Sequence, residues 1–177
     1  SLSDYSGDTS LFSALTTMNY ERTYGLGASA GNETAQNTSG IGQASLGISR
    51  DTTFRYYQYV NTGFSDEPCF LFGVQSPITL HQNYGICFEL PGTDKLTISK
   101  NVAYNYKDGG ATQLASTTVT WASGWYESRV DWLSTGVITV NVYDANGDFF
   151  AAATTTDSTY SSGGVGFTYW YQHGGWD

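Results

Sequence analysis

Residues 124–133, Gly-Trp-Tyr-Glu-Ser-Arg-Val-Asp-Trp-Leu, and 136–148, Gly-Val-Ile-Thr-Val-Asn-Val-Tyr-Asp-Ala-Asn-Gly-Asp, decide the fold class. Both stretches alternate apolar and polar residues, and each ends in turn-forming residues: Ser134-Thr135-Gly136, then Ala145-Asn146-Gly147. Alternation with period 2 sets Trp125, Glu127, Arg129 and Asp131 on one sheet face and Tyr126, Val130 and Trp132 on the other. Asn-Gly before a further strand is a strong hairpin signal, here expected as a type I′ turn. Consecutive antiparallel strands follow.

Outward from this pair the same grammar repeats. Strands are expected near 11–17, 23–29, 41–48, 53–60, 68–75, 84–90, 95–100, 101–107, 111–120, 124–133, 137–143, 148–155 and 164–171. Turn signals divide them, among them Asn61-Thr-Gly63, Asp108-Gly-Gly110 and Ser161-Ser-Gly-Gly164. No window carries the spacing of an amphipathic helix over three turns. A dozen such strands stack as two antiparallel sheets, an all-β jelly-roll sandwich. Trp121, Trp125, Trp132, Phe149 and Phe167 are the expected large core fillers, each stabilising by about 1.5–3 kcal/mol when buried.

The bulk numbers narrow the class. At 177 residues the chain is expected to be one domain over 1–177, since all-β sandwiches often reach that length undivided. Charged residues make up only 13%, and the net charge is −9 from 16 acidic and 7 basic residues, with no Lys/Arg cluster. Nucleic acid and anionic membrane surfaces need concentrated positive charge and are not expected partners. No apolar run approaches the roughly 20 residues of a membrane-spanning helix, so membrane insertion is not expected either. No leader segment opens the sequence, so Ser1 reads as a mature or trimmed start.

Cys69 and Cys87 both lie in strand-like segments, and a turn near Ser76-Pro77 would set them opposite one another. A disulfide is the expected state and implies an oxidising compartment. The alternative is a pair of buried thiols behaving as small hydrophobes. Asn32-Glu-Thr34 and Asn37-Thr-Ser39 are glycosylation sequons in a polar loop, in keeping with export.

Three stretches carry a resemblance. Leu2-Ser-Asp-Tyr-Ser-Gly-Asp-Thr-Ser-Leu-Phe-Ser13, residues 125–144, and Tyr160 to Phe167 with Trp176-Asp177 resemble concanavalin A-like and laminin-G-like jelly-roll domains. The likeness is to surface and secreted modules of halophilic archaea and their viruses. It covers about 50 C-terminal residues and a dozen N-terminal ones, while the middle matches only in pattern. The family runs on past the closing Trp-Asp, so the expectation is a fragment or module of a longer protein. The resemblance also implies a structural Ca²⁺ held by Asp8 and Asp177, against the plainer reading of Asp8 as a turn cap.

Catalysis is not expected. Glucanases resembling this fold carry a Glu-x-Asp-x-x-Glu strand, and none of Glu21, Glu33, Glu67, Glu89 and Glu127 has that spacing. Glu127 and Asp131 share a face but stand roughly 13 Å apart along the strand, too far for the retaining mechanism's carboxyl pair at about 5–5.5 Å. Tyr171, His173 and Arg129 match lyase groups in type, yet the surrounding lyase motifs are missing.

Binding is the expected role. Phe54-Arg-Tyr-Tyr-Gln-Tyr-Val60 puts Arg55, Tyr57 and Tyr59 on one face and Phe54, Tyr56 and Val60 on the other. Tyr104 and Tyr106 repeat the pattern, and Trp170 adds a further ring. Aromatic planes stack on sugar faces, and phenol hydroxyls bond sugar hydroxyls. With 14 Tyr the chain holds more hydroxyls than a sandwich core satisfies, which points to an exposed Tyr-rich face. The expected function is a non-catalytic, extracellular glycan-binding or adhesion module at a cell or virion surface. Alternatives are a structural or receptor-binding domain of a virion fibre, turret or envelope, where a homo-oligomer is expected, and a polysaccharide-cleaving enzyme.

Overall fold

A computed structural model describes residues 6–7, 12–15, 25–28, 39–63, 68–76, 80–90, 94–102, 110–169 and 175–176, and the structural statements made of the protein concern these. They form β1 (Ser6–Gly7), β2 (Phe12–Leu15), β3 (Gly25–Ala28), β4 (Ser39–Ser49), β5 (Thr52–Val60), β6 (Cys69–Val74) and β7 (Tyr84–Glu89). After these come β8 (Lys95–Lys100), β9 (Thr112–Thr118), β10 (Gly124–Trp132), β11 (Val137–Tyr143), β12 (Phe149–Thr156), β13 (Ser162–Tyr169) and β14 (Gly175–Trp176). One sheet runs β1-β4-β13-β6-β7-β8-β9 and the other β12-β11-β10-β5-β14-β3-β2. The expected antiparallel two-sheet sandwich is the fold observed.

Alternation decides what each strand buries. The inner face of the second sheet brings Tyr56, Tyr126, Val130, Trp132, Ile138, Val140 and Val142 against Phe70, Phe72, Tyr84, Ile86, Phe88, Leu96 and Ile98 of the first. Rings cross the gap in edge-to-face and stacked pairs. Trp132 meets Phe72 at 5.4 Å and Tyr84 at 6.0 Å between centroids, and Trp121 stacks on Phe88 at 4.3 Å. Such pairs add about 0.5–1.5 kcal/mol beyond the burial itself.

Two of the expected core fillers lie elsewhere. Trp125 points away from the core, and Phe149 is 62% exposed. The cause at Phe149 is a register shift in the β11–β12 ladder between Val142 and Tyr143, which pairs Tyr143 with Phe149 and gives the inner place to Phe150. Trp121, Trp132 and Phe167 pack in or against the core as expected. The expected strand over 101–107 is not seen at Asn101 and Val102; its remainder lies outside the described residues.

The turn after β11 also differs from expectation. Gly147 N–H donates to Asp144 O at 3.0 Å and Asp144 N–H to Asp148 O at 2.9 Å. Gly147 has φ 84° while Asn146 stays at negative φ. A type I′ turn needs positive φ at both central residues, so this is the three-residue form, a type I turn closed by a left-handed glycine. The Asp144 carboxylate accepts the N–H groups of Asn146 and Asp148, which occupies it as a turn cap.

The middle of the first sheet, β6 and β7, is covered on both sides. Its outer face carries Cys69, Leu71, Val74, Cys87 and Val102, all nearly buried. Cys69 and Cys87 are register partners and form the expected disulfide, with Cα atoms 4.2 Å apart. Chain leaving β8 folds back over β7. Asn83 and Val102 exchange two hydrogen bonds of 3.0 Å, and a Cβ added at Gly85 would stand 2.6 Å from Val102. Glycine leaves the room into which the Val102 side chain packs.

One end of the sandwich is tied by polar groups. Asp157, just after β12, accepts hydrogen bonds from Tyr84 OH at 2.7 Å, Lys100 Nζ at 2.8 Å and Thr159 N–H at 2.8 Å. Burial alone would raise its pKa, but the bonds from Lys100, Thr159 and Tyr84 outweigh that and hold it well below the ordinary carboxylate range. Arg50 donates to Tyr160 O and Ser134 O, linking three turns. Asp157→Asn is expected to lower unfolding free energy by about 1–3 kcal/mol in urea titration at pH 7; an unchanged midpoint would show the knot to be inert.

Candidate functional site

Among the described residues, the outer face of β12-β11-β10-β5 gathers charged and aromatic side chains. Register places them in rows. Trp125 lies opposite Tyr59, Glu127 opposite Tyr57 and Tyr143, Arg129 opposite Arg55 and Asn141, and Asp131 opposite Thr53 and Thr139. Directly paired residues share a face with Cβ atoms about 4.5–5.5 Å apart, so these side chains meet across strands.

Glu127 is the centre. Its side chain is only 9% exposed, although it stands on the outer face. Arg55 pairs with it through both oxygens, Nε to Oε1 at 2.9 Å and Nη2 to Oε2 at 3.1 Å. Arg129 Nε donates to Oε1, and Tyr57 OH donates to Oε2 at 3.3 Å. Arg55 also donates to the Tyr57 hydroxyl. Rings flank both guanidiniums: Arg129 lies 4.4 Å from the Tyr143 centroid and Arg55 5.2 Å from that of Tyr57. Beyond Tyr143, Phe149 makes an edge contact at 6.0 Å. A belt thus runs across four strands: Phe149, Tyr143, Arg129, Glu127, Arg55, Tyr57. Beside it, Tyr59 and Trp125 meet edge to face at 5.5 Å, both half-buried.

The electrostatics follow from these contacts. Burial by itself would raise the Glu127 pKa; the bonds and charges of Arg55 and Arg129 outweigh it and bring the value down to about 2. A general acid needs a pKa near the working pH, so Glu127 holds its neighbours in place and has no proton to give. Asp131 accepts the Thr53 hydroxyl at 2.6 Å.

Of the residues expected to bind ligand, Arg55, Tyr57 and Tyr59 share one face as alternation requires. Tyr57 departs from expectation in one respect: it is 5% exposed, with its hydroxyl used on Glu127, so its ring is no open stacking platform. Tyr104, Tyr106 and Trp170 lie outside the described residues, as do Asp8 and Asp177 for calcium and the sequon residues Asn32 and Asn37. Among the described residues no group of three or more His, Cys, Asp and Glu gathers as a metal site. Trp125, Tyr143 and Phe149 are not among the expected site residues, and Arg129 is weighed there only as a lyase group. For Trp125 and Arg129 the signal was present, since they alternate with Glu127. Tyr143 needed the β10–β11 register, and Phe149 needed the bulge.

No protein-family model matches the chain, and no curated protein matches it by sequence. Solved structures resemble it in fold. The carbohydrate-binding module CBM66 from Bacillus subtilis superposes with a TM-score of 0.63 at 13% identity, over 94% of this chain and 92% of that one. Lectin I-B4 from Griffonia simplicifolia gives 0.53 at 13% identity, over 98% and 91%. The enzymatically active domain of bacteriophage CBA120 tailspike protein 2 gives 0.57 at 10% identity, over 97% of this chain but 27% of that one. The architecture is the lectin-like, concanavalin A-like jelly roll.

Because the folded-state pKa of Glu127 lies below its ordinary value, its contribution to stability is complete above 4.5 and is lost as pH falls through about 2. Glu127→Gln is expected to cost about 1–3 kcal/mol at pH 7. The gap from wild type, followed by urea midpoints, should narrow progressively below pH 4.5. A gap that stays constant down to pH 2 would contradict the ion-paired site.

Proposed function

We propose that the protein is a non-catalytic glycan-binding or adhesion module, working outside the cell or on a virion surface as part of a larger assembly. The observation that carries this reading is the partly exposed Tyr59–Trp125 pair set beside two fixed guanidiniums on the outer face of β5 and β10. Such a surface stacks on sugar rings and bonds their hydroxyls without a covalent step. Preorganisation favours it: the Glu127 network holds the arginines in place, so little side-chain freedom remains to be lost on binding.

Fold likeness to a carbohydrate-binding module and a lectin supports the reading, and the Cys69–Cys87 disulfide supports an oxidising location. Likeness to a phage tailspike domain favours a second reading, a structural or receptor-binding domain of a virion. The two overlap where a fibre grips its host through sugars. Against catalysis stands Glu127, ionised and engaged by two arginines.

A glycan array probed with the purified domain tests this. Trp125→Ala and Tyr59→Ala should each weaken binding by up to about tenfold, the scale of an aromatic contact, and the double variant more. Full binding by the double variant would move the site elsewhere. Silence across the array, together with a stable homo-oligomer, would favour the architectural role, and release of reducing ends would restore the enzyme.

A further inference from the structure

Arg129 is placed differently from Arg55. Arg55 takes both oxygens of Glu127 in the planar two-point match that suits a guanidinium and a carboxylate. Arg129 is the third party. It reaches the same carboxylate through Nε alone, and its plane lies over the Tyr143 ring. Among the described residues its terminal nitrogens, Nη1 and Nη2, donate to no protein group, and its side chain is 48% exposed. Asp131, next on the same face, takes the Thr53 hydroxyl and makes no ion pair with it. The result is a guanidinium fixed on two sides whose remaining donors face outward.

We propose that this group receives an anion carried on a sugar, a carboxylate or a sulfate ester, while the sugar ring lies against Trp125. The inference rests on the glycan-binding reading above and narrows its ligand to acidic sugars. Arg129 leans back to the row of Glu127 and Tyr143, about 6.6 Å along the strand from the row of Trp125. That step is comparable with one pyranose ring, so ring and anion are met together. Chemistry also favours an anion over a lone hydroxyl. Glu127 is already matched by Arg55, and hydrogen bonds between two charged groups are the stronger ones.

Calorimetry with four hexasaccharides tests it: galacturonate, the same oligomer as its methyl ester, a sulfated galactan and a neutral galactan. One or both charged probes should bind, and whichever binds tells carboxylate from sulfate. The methyl ester should bind at least about tenfold more weakly than galacturonate if the carboxylate is the anion read. Arg129→Gln should lose about 10- to 100-fold on the charged probe, with a lowered melting temperature from the lost Glu127 bond but a protein still folded at the assay temperature. Equal binding by Arg129→Gln and wild type would overturn the proposal. Neutral galactan bound as tightly as the charged probes, and lost in Trp125→Ala, would sink the acidic ligand yet leave glycan binding standing. Silence on all four and on the full array would remove both.

Discussion

The Glu127 carboxylate, taken by two guanidiniums and a phenol, is the interaction from which the outer face of β5 and β10 is built. Without it Arg55 and Arg129 would stand as two like charges on facing strands, which repel when directly opposite. With it they become a fixed pair flanked by Tyr57 and Tyr143. The residues on either side of Glu127, Tyr126 and Ser128, point into the core. One strand therefore closes the interior with one face and assembles the belt with the other. A one-residue slip of β10 would exchange the two faces and ruin both.

The two sheets divide the work unequally. β6 and β7 are buried on both faces, with rings inside and the disulfide, Leu71 and Val102 outside. Both faces being apolar, the strands read as continuous runs, CFLFGV and YGICFE, in place of an alternating pattern. The second sheet keeps its outer face polar and aromatic. That asymmetry is the reason the proposed glycan site is placed on the β5–β10 surface. Likeness to solved structures at 8–15% identity fixes the architecture alone; chemistry lives in the particular side chains a fold displays.

Much of this was legible beforehand. β8 and β11 fall on the expected residues, and β5, β7 and β10 within one residue of them, because their alternation is regular and turn residues bound them. The two-faced reading of residues 125–132 held at every position named. Sites were harder to read. Alternation gives the side of a sheet, not its exposure, so Tyr57 was placed on the correct face but turns out covered. The likeness to modules of halophilic archaea and their viruses rests on the sequence stretches alone.

What the sequence determined by itself was the class of fold, the antiparallel pairing of β10 with β11 and the sharing of one face by Trp125, Glu127, Arg129 and Asp131. Each follows from local period and turn chemistry, which need only neighbours along the chain. Tertiary structure decided that the disulfide settles on a covered face, which ring goes inside at Phe149-Phe150, and that Arg55, 72 residues before Glu127, meets its carboxylate. Those outcomes depend on strand order and register across the sheet, where non-local pairing and a single bulge reset every contact downstream.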